Sequence, residues 1–464
     1  MSHFPNKPFK VLLVSTYELG RQPFGLASPA AWLRENEFST QSIDASLESL
    51  PNDKLVEADL IAFYIPMHTA TQLAIPILKK SRQINPNAHI CFYGLYASIN
   101  EKYLRSQGAT TIIGGEFEEE LVSLCRKISS NGQLKNKGEP TRPFMSLKKQ
   151  RFKIPDRSDL PNLAQYAKLL IEDSTSKTTG YVETTRGCMH KCRHCPIVPV
   201  YNGQFRIIQK DIVLADIAQQ IEAGAEHITF GDPDFFNGPG HTLPIVTALY
   251  EKFPWITYDV TIKIEHLLKY RQLLPTLKET GCAFVTSAVE SIDNRVLGIF
   301  DKGHTKDDFL KVVKIFRELV LNLNPTFVTF TPWTTLENYR ELLRLLLELE
   351  LAENVAPVQL AIRLLIPNGS KLLDLQEVRN VIGQFNEKKL SYEWHNPDPK
   401  VEQFYDQVFH LVKTGKNSGL TRLEIFKGVW ERLNQIADSK EKFPEKPAIS
   451  PRSTIPYLNE PWYC

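Results

Sequence analysis

The chain has 464 residues, with 55 Lys and Arg against 53 Asp and Glu, and a formal charge of +2. Its 42% hydrophobic and 23% charged residues describe an ordinary folded protein, long enough for two or three domains, with no global electrostatic basis for nucleic-acid or acidic-membrane partners. No apolar run nears the roughly 20 residues that cross a bilayer, and the start Met1–Lys10 lacks a signal peptide's apolar stretch, so a reducing cytoplasm is the expected location.

In chain order, residues 1–128 read as alternating strands and helices. Buried-strand runs are expected at Phe9–Ser15, Thr40–Asp44, Asp59–Ile65, His89–Tyr93 and Thr110–Ile113. Helical spacing appears at Phe24–Asn36, Thr69–Ile84, Ser98–Gln107 and Glu116–Ile128. Five strands with short helical crossovers predict a doubly wound, Rossmann-like parallel sheet. Such sheets bind ligands beyond the carboxyl ends of their strands, here Ser15–Gly25, Tyr64–Thr69, Gly94–Ser98 and Gly114–Glu118. Residues 129–178 break the pattern and read as a connector. Its basic residues Lys135, Lys137, Arg142, Lys148, Lys149, Arg151 and Lys153 would suit an acidic flavoprotein reductant or simply a solvated surface.

From Gly180 a second alternation begins, with strands expected at Tyr181–Thr185, His227–Phe230, Tyr258–Lys263, Ala283–Glu290, Thr326–Thr331 and Val358–Leu364. Helical periodicity fills the intervals, as at Val213–Ala223 and Leu336–Leu351. Repeated βα units build a parallel barrel or part of one, with working residues on the loops after each strand. The second domain is set at 179–378. The remainder, 379–464, reads as mostly helical with a proline-rich tail.

Three of the seven cysteines, Cys188, Cys192 and Cys195, lie within eight residues. Thiolates this close can converge on one soft metal centre, and three of them on a four-iron cube would leave one iron open. A structural zinc site would need a fourth ligand, which His190 or His194 would supply. A chance cluster of unliganded thiols is the third reading. Cys282, just before an apolar strand, reads as a small core residue.

The spacing, with Glu183–Pro196 around it, resembles that of the radical S-adenosylmethionine (SAM) enzymes. The resemblance implies a [4Fe-4S] cluster on the three cysteines, SAM on the open iron, and a partial (βα)6 barrel. It implies that His194, before the third cysteine, lies near the adenine. Gly231, Asp232 and Asp234, after the second strand, would hold the methionyl ammonium, with a tight turn as the plain alternative. Lys263 and Glu265 follow the third strand. Glu290 and Ser291 at the end of the fourth would meet the ribose or methionine, and Lys302-Gly303-His304 matches a segment common in the family. Arg363 would meet the SAM carboxylate, or form a structural salt bridge. Ile366–Ser370 resembles a recurrent family loop.

A doubly wound domain before such a barrel resembles the cobalamin-binding domain of B12-dependent radical SAM enzymes, over nearly all of residues 9–375. The resemblance places cobalamin against Thr16, Gly94, Ser98, Gly115 and Glu116. The Asp-x-His-x-x-Gly motif that ligates cobalt elsewhere is absent, which leaves the lower axial ligand open. A purely structural Rossmann-like domain is the alternative; dinucleotide binding fits poorly, since no Gly-x-Gly-x-x-Gly follows the first strand. The implied activity is cobalamin-dependent methylation of an unreactive carbon on an unknown small-molecule or peptide substrate, with a flavodoxin- or ferredoxin-type reductant. Non-methylating radical chemistry and a non-catalytic iron–sulfur or zinc protein are the rivals. The tail Asn459–Cys464 faintly resembles a radical SAM group ending in Cys-Cys-Ala-Glu-Pro or its selenocysteine version, which suggests a reading frame cut at a selenocysteine codon.

Overall fold

The computed structural model describes residues 8–131, 144–172, 175–444 and 456–459. Cys464 and Lys135, Lys137 and Arg142 lie outside them. The first sheet is wholly parallel, in the order β2-β1-β3-β4-β5-β6. Its strands are β1 (Lys10–Ser15), β2 (Ser39–Asp44), β3 (Leu60–Tyr64), β4 (His89–Tyr93), β5 (Thr111–Gly115) and β6 (Phe144–Ser146). Strands β3 and β4 are buried along their whole length, as central parallel strands covered by helices on both faces must be. The order reverses beside β1, so ligand space opens between the β1 and β3 loops. The sixth strand comes from the segment read as a connector. It is only three residues long, too short for periodicity to register, and its partner β5 is distant in sequence.

The second sheet runs β14-β13-β12-β11-β8-β7-β17. Five strands are mutually parallel: β8 (Thr175–Val182), β11 (His227–Phe230), β12 (Thr257–Thr261), β13 (Cys282–Glu290) and β14 (Asn322–Phe327). Between β8 and β11 a small antiparallel pair forms from β9 (Thr185–Gly187) and β10 (Phe205–Ile207). Helices such as Lys210–Glu222, Lys306–Glu318 and Leu336–Glu348 cover the outer face, and their apolar stripes join one core with Ile228, Tyr258, Val260 and Val285. This is the expected half-barrel with two differences: the fifth strand, expected at Thr326–Thr331, runs over Asn322–Phe327, and the sixth is missing. The run Val358–Leu364 is not a strand: Pro357 opens a 3-10 turn over Pro357–Leu360, and only a single bridge, Phe330 to Arg363, stands in the sixth position.

The other flank is closed by β7 (Lys168–Glu172), antiparallel to β8, and by β17 (Tyr457–Leu458), antiparallel to β7. The tail also reaches the far edge, where Asn324 Nδ2 on β14 donates to the carbonyl of Pro456 at 3.4 Å. The C-terminal region opens with a hairpin, β15 (Ile382–Asn386) and β16 (Ser391–Trp394), before the expected helices Pro399–Asn417 and Arg422–Ile436. The hairpin leans on the first domain, where Gln72 Nε2 donates to the carbonyl of Lys388 at 3.0 Å. Cys91, Cys125 and Cys282 are buried and free. Among the described residues no helix is long and apolar enough to cross a membrane.

Candidate active site at the barrel mouth

The cysteine loop follows β9 and is fastened at both ends. Gly187 has φ +79°, and a Cβ there would lie 2.5 Å from the Tyr201 ring and 2.6 Å from the Gln204 carbonyl, so only glycine fits. The Cys195 amide donates to the Cys192 carbonyl at 3.1 Å. The Arg193 amide donates to the Phe300 carbonyl at 2.8 Å, and the Leu372 amide to the Arg193 carbonyl at 3.2 Å. Cys192 is buried; Cys188 and Cys195 are half-buried. Burial pushes the Cys188 thiol up to about 12 and the Cys195 thiol to about 11; the charges of Cys195 and Cys192 add to the first shift and that of Cys192 to the second. Three free thiols on one short loop are soft donors that fit the open-iron cluster their spacing implies.

Each neighbouring imidazole has one ring nitrogen engaged, while His194 Nδ1 and His190 Nε2 have no hydrogen-bond partner among the described residues. His194 stacks on Phe300, ring centres 4.5 Å apart, and its Nε2 lies 3.1 Å from Glu290 Oε1. His190 Nδ1 accepts from Lys263 Nζ at 3.1 Å, which leaves the ring proton on Nε2, 3.2 Å from Asp234 Oδ2. His266 Nδ1 approaches the same oxygen at 2.8 Å, though none of the three atoms completes a well-aligned hydrogen bond. Two imidazoles and a carboxylate are donors a cation would accept, but the Lys263 contact favours a hydrogen-bonded chain. Burial works against ionising Asp234, yet His190 and His266 hold its pKa below the usual carboxylate range. Its other oxygen caps Phe235–Asn237 through the Phe236 amide. Asn237 Oδ1, on the same turn, receives the Met189 amide at 3.1 Å and faces Cys188 Sγ at 3.7 Å.

Glu290 ends β13 at a bulge with φ +66°, a conformation that costs a non-glycine residue and recurs at functional sites. Burial opposes its ionisation, but Lys302 at 3.3 Å and His194 lower its pKa to about 2. Lys302 also feels the charges of Cys192 and Cys195, so this carboxylate–ammonium pair borders the cysteine cluster. Gly303, at φ +70°, lets Glu265 approach, since a Cβ there would meet its Oε2 at 2.6 Å. His304 Nε2 contacts the Val289 carbonyl at 3.2 Å.

Other expected residues are drawn elsewhere. Arg363 is stacked over Trp394 at 3.8 Å and forks onto both oxygens of Glu402, at 2.9 and 3.0 Å; its guanidinium is committed to the C-terminal region. Ser291 Oγ accepts the Asp293 amide in a turn. Asp232 is a structural clamp: it takes the Thr184 amide and the hydroxyls of Thr184 and Thr185, and burial raises its carboxyl to about 6. A Cβ on Gly231 would lie 1.9 Å from the Tyr181 hydroxyl.

The first domain meets the cluster loop through Arg186. This buried guanidinium donates from Nε to Glu183 at 2.6 Å and forks onto Glu118 at 2.7 and 3.0 Å. Glu116 lies 3.4 Å from it, and the Phe117, Phe152 and Phe24 rings surround it at 4.5 to 5.3 Å. Glu116, expected at a cofactor, thus serves this junction and accepts the Tyr201 hydroxyl at 3.0 Å. Burial, against the pull of Arg186, raises its carboxyl to about 7. Sequence reading passed over Arg186, His266 and Asn237; the run Glu116–Glu120, in the domain before that of Arg186, was the only signal.

On the first sheet's strand-end loops, Thr16 Oγ1 donates to the Ala70 carbonyl at 2.8 Å. Gly94 (φ +101°) lies against Tyr64, and Gly115 (φ +76°) against the Ser146 carbonyl. Ser15 and Ser98 each bury a hydroxyl with no partner. Tyr96, on the same short helix Leu95–Ile99 as Ser98, is close enough to Cys195 for that thiol, after burial, to raise its phenol. The basic residues Lys148, Arg151 and Lys153 pair with Glu120, Asp211 and Glu35.

Residues 182–347 match the radical SAM superfamily. The chain is 26% identical over 196 residues to the ribosomal protein uS12 methylthiotransferase RimO of Thermus thermophilus, covering 38% of this chain and 44% of that protein. It is 25% identical over 271 residues to the bacteriochlorophyllide d C-8(2)-methyltransferase of Chlorobaculum tepidum, 54% of this chain and 55% of that one. The chain therefore spans about half the length of these curated relatives. Among solved structures, the cobalamin-dependent radical enzyme OxsB, with aqua-cobalamin and SAM bound, superposes at TM-score 0.70 with 14% identity, over 93% of this chain and 71% of that one. The methyltransferase TsrM of Kitasatospora setae, with cobalamin and a [4Fe-4S] cluster, superposes at 0.56 with 16% identity, over 74% and 71%.

Proposed function

Residues 182–347 form a radical SAM domain, and from that premise we propose that the protein is a cobalamin-dependent radical SAM enzyme that methylates an unactivated carbon. The observation that carries the proposal is the placing of Cys188, Cys192 and Cys195 just after β9, in a segment that leads into Ile197, Val200 and Tyr201, which pack on the short helix Leu95–Ile99 of the doubly wound domain. The cluster and cobalamin supply, when bound, the electron that cleaves SAM and the methyl group that is transferred. The chain supplies position. Asp234, kept ionised by its two imidazoles, suits the methionyl ammonium. Glu290, ionised at any physiological pH, presents its second oxygen to the ribose hydroxyls as an acceptor. Lys302 neutralises Glu290 and borders the thiolates, which favours their charged form. The partnerless Ser15 and Ser98 hydroxyls support cobalamin at the strand ends, since buried polar atoms without partners await a ligand or water.

The test is titration of the anaerobic protein with hydroxocobalamin, followed by gel filtration and visible spectra. One cobalamin per chain is expected to co-elute. Replacing Ser98 by Leu, which fills the space beside the strand end at Gly114, is expected to prevent this while the cluster's absorption persists. Co-elution of no cobalamin would leave a radical SAM enzyme with a structural first domain and would remove cobalamin-dependent methyl transfer.

A further inference from the structure

The barrel's interior is not filled. A cavity of about 180 Å³ extends from the strand-end pair Gly231–Asp232 to Arg422. Its wall is polar because alternate residues of a strand face opposite sides: Ile228, Tyr258, Val260 and Val285 join the hydrophobic core, while Thr229, Asp259, Thr261 and Thr286 face the cavity. The tail strand β17 closes the flank, with Tyr457 and Leu458 in the wall.

Two groups of opposite sign stand out. Asp259 is 4% exposed; its Oδ1 receives His227 Nε2 at 2.9 Å and Thr229 Oγ1 at 2.6 Å, whereas its Oδ2 has no partner among the described residues and is not sealed in protein. Arg422 donates to the Glu353 carbonyl at 2.9 Å and stacks on Tyr457 at 3.7 Å, and no carboxylate pairs with it among the described residues. Burial lowers its pKa to about 10, against the smaller opposing pull of Tyr457 and Glu353, as for a cation drawn out of water. A cavity of roughly 150 Å³ holds a molecule of benzene's size, so this one admits a compact solute; a polypeptide or an RNA strand would have to displace β17.

We propose that this cavity seats the reacting part of the substrate, and that the substrate is a compact zwitterion of the amino-acid type, its ammonium on Asp259 and its carboxylate on Arg422. The chemistry done there rests on the radical SAM reading; the binding does not.

Isothermal titration of the full, cluster-loaded chain under anaerobic conditions tests it, with glycine, L-serine, L-threonine and L-aspartate as probes. At least one is expected to bind, and its decarboxylated and deaminated counterparts about tenfold more weakly each, the cost of one charge-assisted contact. In Arg422→Gln the preference over the amine should vanish, and in Asp259→Asn the preference over the acid. Equal binding of zwitterion and counterparts, or no binding of any probe at roughly millimolar concentration, overturns the proposal. Analogue selectivity in the wild type decides the matter should a variant fail to load its cluster. SAM cleavage followed in parallel separates the two readings: cleavage without zwitterion binding removes this site alone, and binding without cleavage removes the radical reading alone.

Discussion

Replacing Cys192 by Ala is expected to abolish cluster iron and SAM cleavage together. The three thiols are the soft donors that the loop offers: Cys188 and Cys195 flank Cys192, and the nearest imidazoles each turn one nitrogen to another group, His194 to Glu290 and His190 to Lys263. With four irons and two thiolates left, two irons would lack protein ligands. Cys192 is also 7% exposed, so no outside thiol can substitute for it. Iron and sulfide assay of anaerobically reconstituted protein should fall to background, and 5′-deoxyadenosine with it. A structural zinc site would behave differently, since the wild type would take up zinc and would never cleave SAM.

The second large effect lies at Arg186, where Arg186→Met should cost about 3–5 kcal/mol, because it strands buried carboxylates that share one cation. The guanidinium contacts Glu183, Glu118 and Glu116, and the last two belong to the other domain, so the loss is of the junction itself. The pH dependence has a definite sign. Glu116 is raised to about 7 from its ordinary 4.5, so the fold favours its protonated form, and its contribution to stability falls as pH rises between those values. Removing Arg186 weakens the ionised carboxylates further, so the variant's deficit should be smaller at pH 6 than at pH 8. Thermal melts at the two pH values, with iron retention measured alongside, would show it. An equal deficit at both would mean that the carboxylates are not the origin of the loss.

Much of the architecture is written in local pattern. The buried runs ending at Ser15, Tyr64 and Tyr93 are apolar and short, and each became a parallel strand within a residue or two of its expected span. What escaped was long-range. Strands β6 and β17 are three and two residues long and exist because distant strands offer edges. The expected sixth strand failed because Pro357 begins a turn, although its apolar composition reads as sheet.

The site divides the same way. The cysteines, Asp234, Lys263 and Glu290 can be nominated from sequence, since each lies at or after a strand end and carries chemistry suited to the barrel mouth. Arg363 has the same credentials, but Glu402 and Trp394, about 30 to 40 residues onward, decide its use and leave no trace at position 363. Asp232 and Glu116 are likewise acidic strand-end residues whose partners, Thr184 with Thr185 and Arg186 with Tyr201, turn them to structural duty. Charge and position on a strand nominate a residue; the neighbours across the fold assign it.

The central claim is methyl transfer driven by SAM cleavage, and product stoichiometry tests it most directly. Anaerobic protein with reconstituted cluster and hydroxocobalamin is reduced in the presence of SAM, and 5′-deoxyadenosine and S-adenosylhomocysteine are quantified by mass spectrometry. Formation of both, lost together in Cys192→Ala, is the predicted result. Deoxyadenosine without S-adenosylhomocysteine would contradict methylation and point to a different radical reaction on the same scaffold.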